Sequence, residues 1–111
     1  METVIVVRDK SMGGGDEHLG AKLLGNFLRT LGTVDPRPDA IIFYNAGVWL
    51  LAEGSAHLDA LRELDAAGVD LLACTTCLEY YELHGRMVVG QVSNMREIAT
   101  RLLGAGKVIT V

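Results

Sequence analysis

Short apolar runs alternate with amphipathic stretches along the whole chain. Residues 3–8, Thr-Val-Ile-Val-Val-Arg, are β-branched and too few for a typical helix, so they predict a strand. A flexible loop, Asp9-Lys10-Ser11-Met12-Gly13-Gly14-Gly15-Asp16, follows, and Asp16 is suited to cap a helix. Beyond it Leu19, Leu23, Leu24, Phe27, Leu28 and Leu31 recur at three- and four-residue spacing, which predicts one apolar helix face ending at Gly32. Asp35-Pro36-Arg37-Pro38-Asp39 reads as a stiff connector. Residues 40–44 are apolar at almost every position, as in a strand covered on both faces.

Asn45-Ala46-Gly47 then turns the chain, and residues 48–51 (Val-Trp-Leu-Leu) are too apolar to face water alone, so they line a pocket or a subunit contact. Ser55 is the expected cap of a second helix through Ala67, with Leu58, Leu61 and Leu64 inward and Gly68 closing it. Residues 68–72 predict a third strand, running into Ala73-Cys74-Thr75-Thr76-Cys77 and a short helix over residues 78–83. Met87-Val88-Val89-Gly90 suggests a fourth strand. Asn94 and Glu97 match a capping pattern for a last helix with Met95, Ile98 and Leu102 buried and Gly104 at its end. Residues 107–111 make a final strand. This alternation with short connections implies one α/β domain over residues 1–111, a parallel sheet with helices on both faces.

Composition narrows the partners. Ten Lys and Arg against fourteen Asp and Glu give a formal charge of −4, and the basic residues form no cluster in sequence, so no nucleic-acid partner is expected. The apolar run from Ala40 to Ala52 is interrupted and shorter than the roughly 20 residues of a membrane span, and no secretory leader is expected, since Met1-Glu2-Thr3 runs into the first strand without a basic segment or small-residue cleavage site. The reading is a cytoplasmic protein, where a Cys-x-x-Cys serves redox, persulfide or metal chemistry rather than a structural disulfide.

Both cysteines of the chain lie in that motif. Cys74 is expected at the carboxyl end of a strand and Cys77 in the first turn of a helix, where α/β sheets gather their chemistry. A helix start offers free N–H groups and about half a positive charge, which favours thiolate over thiol. The pair makes Cys77 and Cys74 the candidate catalytic residues, with a buried-hydrophobe reading still open for Cys74. No metal and no cofactor are expected: His18, His57 and His84 show no paired ligand spacing. A thioredoxin-like reading is weaker, since no Trp or Pro flanks the motif. Gly13, Gly14 and Gly15 either cradle an anion or simply permit a tight turn. Because their loop follows a strand's carboxyl end, they join Asn45 and Gly47 as candidate pocket residues. Tyr80 and Tyr81 beside the thiols read as helix packing.

Four segments in order, Met12-Gly13-Gly14-Gly15-Asp16-Glu17-His18-Leu19-Gly20, Ile42-Phe43-Tyr44-Asn45-Ala46-Gly47-Val48, Cys74-Thr75-Thr76-Cys77-Leu78 and Val89-Gly90-Gln91-Val92-Ser93-Asn94-Met95, resemble the C-terminal, DsrE-like domain of YedF-type proteins. Those are sulfurtransferase-like proteins of selenium metabolism. The resemblance implies a three-layer α/β/α sandwich with a mainly parallel five-stranded sheet, oligomeric assembly, and a persulfide-bearing cysteine matching Cys77. Cys74 matches the additional cysteine of the pattern. It also implies sulfur-donor and sulfur-acceptor proteins as partners. YedF-type proteins usually carry a TusA-like domain as well, and these residues contain none: either a separate TusA-like carrier supplies that function, or this protein does something else. The alternative functions are a non-catalytic, oligomeric small-ligand-binding subunit and a dithiol redox protein.

Overall fold

The apolar runs pair side by side. In the computed structural model, which describes residues 1–111, β1 (Thr3–Val7), β2 (Ala40–Phe43), β3 (Asp70–Cys74), β4 (Gln91–Ser93) and β5 (Lys107–Thr110) form one sheet. Its order is β4-β3-β2-β1-β5 and every pairing is parallel. Register sets Ile5 beside Ile41 and Ile41 beside Leu71, so alternate residues of neighbouring strands share a face. Ile5, Val7, Ile41, Phe43, Leu71 and Ala73 build the larger core, whereas Val4, Ala40, Ile42, Leu72 and Cys74 face the opposite way.

Four helices cover these faces unequally: α1 (Glu17–Leu31), α2 (Leu58–Ala66), α3 (Thr75–Tyr80) and α4 (Met95–Gly104). Leu24, Leu28 and Leu31 of α1, Leu61 and Leu64 of α2 and Leu78 of α3 all pack into the larger core. Ile98 of α4 packs on the other face, with Leu102 partly buried beside it. Handedness explains the split. The steps β1 to β2, β2 to β3 and β3 to β4 move one way across the sheet, so right-handed crossovers put three helices on one face. The step from β4 to β5 crosses back over the full width and delivers α4 to the other. A single helix therefore seals the second face.

The helix starts follow local chemistry. Asp16 accepts from the Leu19 N–H at 2.8 Å and Asn94 from the Glu97 N–H at 2.9 Å, which satisfies backbone donors left without helical partners. Ser55 does not cap α2; its hydroxyl accepts from the His57 N–H at 3.2 Å and shapes the turn before a helix that begins at Leu58. The fourth strand lies later than expected. Val88 and Val89 donate instead to the Leu51 carbonyl, and Gly90, at φ 89°, turns the chain tightly over Leu71 before Gln91 joins β3. The short third helix starts earlier, at Thr75, immediately after β3.

Two expected buried stripes are only partly covered. Leu19 and Leu23 are 55% and 43% exposed, and Met95 is 56% exposed. Leu24 and Leu28, one position round the helix, take the contact with the sheet instead. At the amino-terminal end of the strands Arg101 ties the two ends of the chain together. Its guanidinium donates to both oxygens of Glu2, at 2.9 and 3.0 Å, and to Asp70 at 2.9 Å. These carboxylates hold its pKa further up, with burial opposing. Half-exposed carboxylates limit the contribution of this network to about 1 kcal/mol. No helix is long and apolar enough to cross a membrane.

Candidate functional site

At β3 and β4 the chain leaves two neighbouring strands in opposite directions, into α3 on one face and α4 on the other. Such a divergence opens a crevice beyond the carboxyl ends of the strands, the usual ligand position in open α/β sheets. Cys74, the last residue of β3, stands in register with Ser93, the last of β4. Ser93 is buried and its hydroxyl is satisfied by the Glu97 carboxylate.

Cys77 is the third residue of α3 and lines a recess of about 370 Å³ together with Asn45, Thr76, Tyr80 and Tyr81. Its Sγ accepts a hydrogen bond from the backbone N–H of Asn45 at 3.0 Å. Asn45 has φ 51°, a left-handed conformation that asparagine tolerates better than most residues. Its side chain explains how the conformation is held: Oδ1 accepts from the Ala46 N–H at 2.9 Å and, more weakly, from the Tyr81 hydroxyl at 3.4 Å. Tyr81 in turn packs against Trp49 and Tyr80, with ring centroids 5.5 and 5.0 Å apart, and Lys10 lies over the Trp49 ring at 5.6 Å. The donor aimed at the sulfur thus rests on an aromatic buttress.

Gly47, expected in the pocket, does not line it. Residues Asn45–Leu51 form a tight 3-10 helix pressed onto the end of β1, and a Cβ at Gly47 would stand 2.2 Å from the Val7 carbonyl oxygen. Gly47 permits that approach and so sets where Asn45 sits. Gly13 and Gly14 line a second recess of about 370 Å³ with Arg8, Asp9, Ser11, Asn45 and Val111. It meets the cysteine recess at Asn45; Gly15 lines neither. Tyr80 and Tyr81 frame the thiol rather than only packing the helix. Their spacing from Cys77, three and four residues, was the available sequence signal.

The electrostatics correct one expectation. The Cys77 thiol lies above its ordinary pKa, not below it. Burial pushes it up, the Asn45 N–H offsets part of that, and the neighbouring Cys74 side chain raises it again. A six-residue helix supplies little field against that desolvation. Both cysteines are free, Cys74 buried to 1% exposure and Cys77 half-buried. Beside them Thr75 Oγ1 and His84 Nε2 are 3.3 Å apart. No three His, Cys, Asp or Glu side chains converge as a metal-ligand group.

One variant pair tests the Asn45 arrangement. Asn45→Gly is expected to keep the left-handed turn and the N–H donor, leaving the Cys77 alkylation rate within about twofold. Asn45→Val is expected to cost about 1–3 kcal/mol in urea denaturation, because a β-branched residue is strained at that φ.

No protein-family profile and no curated protein matches the chain. Solved structures do match over their full length. The chain superposes on YchN from E. coli with a TM-score of 0.71 at 19% identity, covering 100% of both chains. The chain has the YchN fold. MTH1491 from Methanobacterium thermoautotrophicum, a protein of unknown function, gives a TM-score of 0.72 at 20% identity, covering 98% of this chain and 97% of that one. BT1422 from Bacteroides thetaiotaomicron, also of unknown function, gives 0.67 at 15% identity, covering 99% and 95%. The YchN-like fold agrees with the five-stranded α/β architecture expected from the sequence, here with all five strands parallel. At these identities the likeness establishes architecture alone.

Proposed function

We propose that this protein is a sulfurtransferase-like relay protein that carries sulfane sulfur as a persulfide on Cys77. The observation that supports the reading is a half-buried thiol in an open recess with one backbone N–H directed at its sulfur. In the proposed step the Cys77 thiolate attacks the outer sulfur of a donor persulfide. A new S–S bond forms at Cys77, the donor's S–S bond breaks, and the donor leaves as a thiolate. No net oxidation occurs. The acceptor's thiolate then removes the outer sulfur by the same exchange, regenerating Cys77.

Cys74 has an auxiliary role in this scheme. Its thiolate attacks Cys77 Sγ, forms a Cys74–Cys77 disulfide and expels hydrosulfide. The two cysteines lose two electrons, the outer sulfur gains them, and an external thiol must reduce the disulfide to reset the pair. Because burial raises the Cys77 thiol above its ordinary pKa, forming the attacking thiolate costs more than for a free cysteine, and a donor complex that takes up the proton offsets that cost. The proposed partners are a sulfur donor, a sulfur acceptor of the TusA-like carrier type, and further copies of this chain; exposed Leu19 and Leu23 support self-association. A cytoplasmic setting is proposed with this reading, because a Cys-x-x-Cys there serves redox or persulfide chemistry rather than a structural disulfide. Selenium as an alternative cargo rests on the resemblance to YedF-type proteins alone.

Intact-protein mass spectrometry after treatment with a persulfide donor tests the reading. The expected result is a gain of one sulfur, reversed by cyanide and mapping to Cys77. Loss of two hydrogens without sulfur gain would replace it with a dithiol redox function. No modification of either thiol would replace it with a ligand-binding subunit.

A further inference from the structure

A second groove lies away from the cysteines, between α1 and the segment leading into α2. It is an open groove of about 410 Å³, lined by the exposed side chains of His18, Lys22, Asn26 and Arg29 of α1, with half-buried His57 opposite and small residues between them. Those four α1 positions follow each other at four, four and three residues and so share one helix face. Gly25 permits the closure: a Cβ there would stand 2.9 Å from His57 Cε1 and 3.2 Å from the Arg29 guanidinium.

The charge balance of this groove is the reverse of the chain's. The protein carries −4 overall, yet no carboxylate lines the groove. Neither Lys22 nor Arg29 takes part in an ion pair. The nearby acids are engaged elsewhere, Glu53 with Arg86 at 3.5 Å and Asp59 with Arg62 at 3.8 Å. Asn26 Oδ1 accepts from Arg29 at 2.5 Å, which leaves its amide N–H groups as donors. The ring of His57 has no hydrogen-bond partner within the chain; the charged residues lining the two grooves it borders are Lys22 and Arg29 on one side and Lys10 and Glu53 on the other, Glu53 being paired with Arg86. Burial and the Arg29 charge together hold the His57 imidazole below its ordinary pKa. Solvent-exposed cationic donors that converge on one groove without an acidic partner favour an anion there.

We propose that this groove binds a phosphate-type oxyanion, free or carried as a monoester, with Arg29 and Lys22 as its charge partners and His57 and Asn26 as donors. The volume exceeds that of an oxyanion alone and lies in the range of small-molecule sites, about 300–1,000 Å³. The inference is independent of the persulfide reading.

The test is an NMR titration of the histidine resonances of the whole protein with methyl phosphate and, separately, with inorganic phosphate at constant ionic strength. Saturable binding with a rise in the His57 pKa is expected. Lys22→Gln and Arg29→Gln should each weaken it at least about tenfold while leaving Cys77 alkylation unchanged. Tighter binding of methyl phosphate identifies a monoester source, and equal binding identifies the free oxyanion; both support the shared chemistry. Absence of saturable change at His57, or equal affinity in the double variant K22Q/R29Q, would overturn the proposal.

Discussion

Cys77→Ser is expected to reduce persulfide loading to background, because serine keeps the shape of the recess and removes the only half-buried sulfur in it. Cys74→Ser is expected to load normally and to lose donor-dependent sulfide release, since it removes the thiol that would resolve the persulfide internally. Mass spectrometry and sulfide detection on the two variants separate the roles. The wild-type pH dependence carries its own sign. Burial raises the Cys77 pKa, so its thiolate fraction at neutral pH is smaller than that of an unhindered cysteine. Its alkylation rate should therefore keep rising at pH values where a cysteine peptide has reached its plateau. Asn45→Val should shift that profile, because it displaces the one donor that favours the anion.

Gly47→Ala is expected to be among the most disruptive single-methyl changes in the chain. The added carbon would overlap a backbone carbonyl of β1, which cannot move without breaking the sheet, rather than a side chain that can swing away. A loss of about 3 kcal/mol or more in urea denaturation is the expected scale for an overpacked backbone contact. The same variant should speed alkylation of Cys77, since the 3-10 helix carries Asn45 over the sulfur. Unchanged stability would mean that the turn is not pressed onto β1 as described.

Much of this architecture is readable from residues in order because its causes are local. Val4 to Val7 and Ala40 to Phe43 are apolar without interruption, as strands buried on both sides must be. Asp16 and Asn94 announce helix starts through contacts three residues away. The position of Cys74 at a strand end follows from the same pattern. Contacts that depend on distant segments are not legible. The N–H of Asn45 meets Cys77 across 32 residues, and only the packed sheet brings them together. Leu19 and Leu23 show why periodicity misleads: it identifies a stripe but not how much of it the sheet can reach. Residues 87–89 misled for a related reason, as an apolar run can cover a neighbouring turn just as well as join a ladder. The raised thiol pKa depends on burial, which sequence spacing does not report.

The unequal cover of the sheet has a kinetic meaning for Cys74. Its side chain belongs to the face sealed by Ile98, while Cys77 reaches solvent from the recess beyond the strand ends. Reagents therefore meet Cys77 directly, but they meet Cys74 only during excursions in which α4 lifts from the sheet. Such sub-global openings cost less than complete unfolding, and one short helix with a single fully buried residue is a natural unit for them. Deuterium uptake in α4 and labelling of Cys74 should then share one opening constant, and Ile98→Ala should accelerate both by the same factor. The second thiol is thereby shielded from outside reagents to a degree set by how tightly one isoleucine holds, while it stays beside Cys77 for the internal exchange.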